Sequence, residues 1–128
     1  MRTNECSASE RSGRLAKARQ FAQAAADVLT LADEADDVAD AFVTLAVHAG
    51  IAASDVICCA RLGEYSRSER HDDAINLLKT ADPVAAKSLR VLLGMKTFAG
   101  YSSAPVSADD RLRAERAMNA LLTAANAA

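Results

Sequence analysis

Tryptophan is absent from this chain, and only two tyrosines and three phenylalanines occur among its 128 residues. Two prolines and five glycines leave few points at which a helix must break. There is no Gly-rich phosphate loop, no CxxC pair, no HExxH helix and no nucleophile elbow. P-loop hydrolysis, dithiol exchange, zincin proteolysis and α/β-hydrolase chemistry therefore have no residues to rest on. The opening MRTNECSASERSGR has no apolar core, so a secretory leader is not expected and a reducing cytoplasm is the expected compartment. Positive charge is missing from a long stretch: no Lys or Arg lies between Gln20 and Ala60, while seven carboxylates do. With a net charge of −2, the field of the whole molecule offers nucleic acid no strong attraction.

Cysteine is scarce and odd in number. Cys58 and Cys59 are neighbours that a helix would point about 100° apart, so they are not expected to pair. Cys6 falls in a polar head, residues 1–8, that is expected to be flexible.

What the chain has is alanine and helical periodicity. Alanine is the best helix former and, being small, lets helices pack at close range. Residues 9–128 read as one domain, an all-α antiparallel bundle of about five helices. A first helix runs from about Ser9 to Ala32, with Leu15, Ala18, Ala22, Ala25 and Leu29 on one stripe. The acids of DEADDVAD (33–40) open a second helix, where the helix dipole favours them; they lack a regular loop of ligands, and no metal or cofactor is assigned. That second helix reaches about Leu62 and is stopped by Gly63. SRSE (66–69) reads as a capping box for a third helix, and Asp82–Pro83 as cap and first position of a fourth that ends near Lys96. Ser107 caps the fifth after the AGYSSAP loop.

Residues 41–60, AFVTLAVHAGIAASDVICCA, are long enough to cross a bilayer, with only His48 and Asp55 ionisable. Alanine and glycine insert weakly, and Asp55 near the middle would cost roughly 2.5–3.5 kcal/mol. The segment is read as the buried spine of the bundle, with no membrane expected.

The polar residues that stand out are Thr44, His48 and Asp55 in the spine, His71 in the third helix, and Lys96 and Tyr101 at the corner before the last helix. Spacings of four and seven place Thr44, His48 and Asp55 near one meridian, but His48 and Asp55 are about 10.5 Å apart along the axis. A residue from another helix would have to stand between them, and His71 is the candidate. Two histidines and a carboxylate could also form a facial metal triad if they converged.

The spine, SERHDDAINLL, and AKSLRVLLGMKTFAGYSSAPVSADDRLRAERAMNALLTAA together resemble the HEPN domain family over about residues 20–126. The resemblance implies a small helical bundle, frequent homodimers, and sometimes pairing with a nucleotidyltransferase as a toxin–antitoxin unit. It also implies that active members are metal-independent ribonucleases, with an Arg followed four to six residues later by His. At the matching positions this chain carries Lys96 and Tyr101. Tyrosine, with a pKa near 10, is a poor base at neutral pH, and lysine lacks the bidentate fork of arginine. The expectation is a non-catalytic HEPN-like binding module for a nucleotide, nucleic acid or partner protein, with no catalytic residue assigned. Lys96 would hold a phosphate, and Tyr101 would stack on a base or sugar. A weak ribonuclease using Lys96, Tyr101 and His71, and a purely structural dimeric bundle, are the alternatives.

Overall fold

The computed structural model describes residues 2–128 and is the all-α bundle that the periodicity predicts. Its elements are β1 (Thr3–Glu5), α1 (Ala8–Leu31), a 3-10 turn (Ala35–Val38), α2 (Ala39–Leu62), β2 (Glu64–Ser66), α3 (His71–Ala81), α4 (Pro83–Tyr101) and α5 (Ala108–Ala127). Helix α2 is the spine: it packs against all four other helices, and fourteen of its 24 residues are buried. The long apolar run is thus the interior of the bundle. Phe42 and Ile57 of α2 meet Leu78, Leu89, Leu92 and Leu121 of the other helices in the fully buried core. Gly50 of α2 faces Leu92 of α4 and Leu121 of α5 at close range. A Cβ there would overlap Leu92 Cδ1 and stand 3.2 Å from Leu121 Cδ1.

Helix ends follow local chemistry. The Asp82 carboxylate accepts from Val84 N at 3.1 Å and Ala85 N at 3.0 Å, ahead of Pro83. Ser107 accepts from Asp110 N at 3.1 Å. Gly63 closes α2 in the left-handed region at φ 73°, its N–H donating to Cys59 O. Asp40, in the first turn of α2, accepts from Val106 N at 3.1 Å and so anchors the loop before α5.

Three expectations are corrected. The SRSE box does not open α3: Ser66 ends β2, and α3 starts at His71. Helix α4 does not stop near Lys96 but continues to Tyr101, since nothing in MKTFAG breaks it. The polar head, expected to be flexible, is folded onto the bundle. Thr3, Asn4 and Glu5 pair antiparallel with Ser66, Tyr65 and Glu64. Cys6 N donates to Gly63 O at 2.9 Å, and Cys6 forms a disulfide with Cys59, their Cα atoms 5.4 Å apart. The local argument that Cys58 and Cys59 do not pair with each other holds. The partner came from 53 residues away.

Candidate functional site

A cavity of about 510 Å³ opens between α2, α3 and α4. Ile51 of α2, Ala74 of α3 and Leu89 and Leu93 of α4 form its apolar wall. Its polar lining comes from Ser54 and Asp55 of α2, His71 of α3, Lys96 of α4, and Ser68, Glu69 and Arg70 in the turn before α3. Three of the six residues singled out in the sequence therefore converge: Asp55, His71 and Lys96.

The turn is built by short side chains. Ser66 Oγ accepts from Ser68 N at 3.2 Å. The Ser68 hydroxyl donates to Asp73 Oδ2 at 2.7 Å and accepts from Arg70 N at 3.1 Å. Side-chain hydrogen bonds of this kind hold a tight turn that a helix would otherwise replace. The effect here is to present Glu69, Arg70 and His71 at the rim of the cavity.

Asp55 joins the cavity to the N-terminal ribbon. Its Oδ2 lies 3.5 Å from Arg14 Nη1 of α1, and its side chain is 13% exposed. The Arg14 guanidinium in turn sits 4.8 Å from the centre of the Tyr65 ring. The Tyr65 hydroxyl donates to Glu10 Oε2 at 3.1 Å and accepts from Asn4 Nδ2 at 3.2 Å. Burial pushes the Asp55 carboxyl up from 3.8 to about 7, and the Arg14 charge offsets only part of that. A carboxyl poised near neutrality in a cavity can hold or release a proton at working pH. The Cys58 thiol, beside the disulfide, is pushed up to about 12, chiefly by burial and then by the charge of Asp55. A thiol raised this far is almost wholly protonated at neutral pH, which disfavours exchange with Cys6–Cys59.

His48 and Tyr101 do not line the cavity. His48 shares the Asp55 meridian as its spacing requires, but that flank faces α1: its ring stacks on Phe21 with centroids 5.4 Å apart. Seven residues separate Phe21 from Arg14, and seven separate His48 from Asp55, so the two antiparallel helices hold one register across both pairs. Elements of α1 thus flank the His48–Asp55 line, and His71 shares the cavity with Asp55 but not with His48. Tyr101 is 86% exposed. With α4 intact through that residue, Lys96 and Tyr101 are about 140° apart around the helix axis. The Lys96–Tyr101 corner is thereby divided between the cavity and the solvent.

Sequence reasoning missed Arg14, Ser54 and Arg70 as neighbours of this site. The run SRSERH held a usable signal, because so dense a polar cluster exceeds what one helix cap needs. Among the described residues, no group of three or more His, Cys, Asp or Glu side chains is placed to share a metal ion. The chain matches no family model, no curated protein and no solved structure.

Proposed function

We propose that this chain is a HEPN-like binding module whose cavity between α2, α3 and α4 takes a phosphate-bearing small molecule of nucleotide size. The observation that carries the reading is the shared cavity of His71, Lys96 and Arg70, three groups able to donate to an anion, set against an apolar wall. A volume of about 510 Å³ lies within the roughly 300–1,000 Å³ of small-molecule sites. Arg70 and Lys96 supply charge to a phosphate, Leu89 and Leu93 an apolar face to a base, and Ser54 and Glu69 acceptors for ligand N–H or hydroxyl groups. Homodimerisation and a nucleotidyltransferase partner rest on the HEPN resemblance alone.

Ligand-dependent stabilisation tests the reading. A nucleotide panel should raise the unfolding free energy of wild type by about 2.7 kcal/mol at a hundredfold excess over Kd. Lys96→Ala, by weakening binding about tenfold, should lose about half of that gain. No stabilisation by any nucleotide would sink the proposal.

Asp55 favours a second reading. A carboxyl with a pKa of about 7 in one cavity with His71 could act as acid or base on a ribose hydroxyl, making the same cavity a weak metal-independent ribonuclease. RNA incubated without metal should then be cut by wild type and spared by Asp55→Asn and Lys96→Ala. Equal, near-zero cleavage in all three would leave binding as the activity.

A further inference from the structure

A second cleft, also about 510 Å³, lies against the rim of the cavity and shares Ser68, Glu69 and Arg70 with it. Arg2, Arg67 and Arg70 converge there from the N-terminal ribbon and the turn before α3. The only ion pairs among the described residues are Arg14–Asp55 and Arg113–Asp110, so none of these three guanidinium groups has a carboxylate within bridging distance. Glu69 and Asp73 also line the cleft, but one Asp73 oxygen is occupied by the Ser68 hydroxyl. Planar guanidinium groups gathered in one concavity match the paired oxygens of phosphate, which they bind bidentately.

We propose that this cleft is a second anion subsite, taking the terminal phosphates of a polyphosphate ligand whose first phosphate lies in the cavity, and that the Cys6–Cys59 bond completes it by holding Arg2 in place. The proposal rests on the reading of the cavity as a phosphate-ligand site. Arg2 reaches the cleft only through the β1–β2 ribbon, where Arg67 N donates to Arg2 O at 3.0 Å. The ribbon has three residues on each strand, and an isolated pair so short is marginal in water. The covalent tie at Cys6 immediately follows β1 and fixes that strand to the end of α2. A dithiol reductant would cleave the bond, with two electrons and two protons passing to the Cys6 and Cys59 sulfurs and the reductant left as its own disulfide. The ribbon is then free to fray and Arg2 to leave, so the subsite is sensitive to redox state.

Titration of the full oxidised chain with adenosine mono-, di- and triphosphate tests this. Affinity in wild type should rise about tenfold from mono- to triphosphate, the gain of one charge-assisted contact. That rise should vanish in Arg2→Ala, in Arg67→Ala and in Cys6→Ser, with monophosphate affinity unchanged. Arg2→Ala alters only an exposed side chain, so it remains informative if Cys6→Ser folds poorly. Monophosphate binding with no dependence on phosphate number, or a dependence that survives Arg2→Ala, overturns the subsite and leaves the cavity reading standing. A dependence that survives Cys6→Ser overturns the role of the disulfide. No binding of any of the three nucleotides overturns both readings.

Discussion

Arg14 stands 3.5 Å from Asp55, yet Asp55 keeps its proton to about pH 7. The pair reverses the usual outcome of a salt bridge, because desolvation of the carboxyl outweighs the attraction of a half-exposed guanidinium. The consequence for stability runs against the common acid-denaturation pattern. Below about pH 4 Asp55 is protonated in both folded and unfolded chains and has no pH-dependent effect. As pH rises from about 4 to 7 the unfolded chain releases this proton while the folded chain retains it, so stability falls; above 7 the loss levels off. A shift from 3.8 to about 7 corresponds to about 4 kcal/mol at its limit.

Asp55→Asn removes that penalty. Chemical denaturation at pH 5 and pH 8 should show the variant gaining about 3 kcal/mol on wild type between the two. A gap that stays constant would mean that Asp55 is ionised at both pH values and that Arg14 dominates it.

Opening the Cys6–Cys59 bond releases a loop with a sequence separation of 53. Chain entropy assigns about 4 kcal/mol to a loop of that length, within an observed range of about 2–5. Cys6→Ser should lower the denaturation midpoint accordingly, and dithiothreitol should do the same to wild type while leaving the variant unmoved. A wild type indifferent to reductant would show that the bond contributes nothing to stability.

Two glycines should respond in opposite directions to alanine. At Gly50 the added Cβ meets Leu92, which is fully buried with little room to swing aside, and Leu121 closes the other side. An overpacking cost of about 1–3 kcal/mol there outweighs the gain of about 1 kcal/mol in helix propensity. Gly13, in α1, has nothing within 4 Å of the new Cβ, so Gly13→Ala collects the propensity gain of about 1 kcal/mol. Thermal unfolding of the two variants should place them on either side of wild type.

Lys96 and Tyr101 should part company in any ligand assay. Lys96 lines the cavity, whereas Tyr101 is 86% exposed and outside it. Lys96→Ala should weaken nucleotide binding by about tenfold, the worth of one charge-assisted contact. Tyr101→Ala should bind as wild type does. Equal losses in both variants would put the ligand at the end of α4 and not in the cavity.

Much of the site was legible before its geometry, and the reasons differ by residue. Asp55 was conspicuous because a carboxyl on an otherwise apolar helix has no local justification, and its burial follows from the burial of that helix. His48 was equally conspicuous and led elsewhere. Its exposure depends on how far α1 covers that flank, which the α2 sequence does not contain. In the sequence Arg14 is one charge among Glu10, Arg11, Lys17 and Arg19, and only its register with Asp55 gives it a partner.

By itself the sequence determined the local rules of this protein: alanine-rich periodicity for five helices, an apolar spine, and caps at Asp82, Ser107 and Gly63. Each of these is a short-range preference of backbone and side chain, decided within a turn or two of helix. The tertiary structure alone decided what meets across long separations: Cys6 with Cys59, Arg2 with Arg67 and Arg70, and Asp55 with His71 and Lys96 around one cavity. Such meetings depend on how whole helices pack against one another, and three polar residues in a ribbon or one arginine in a charged cluster bear no local mark of the partner they will find.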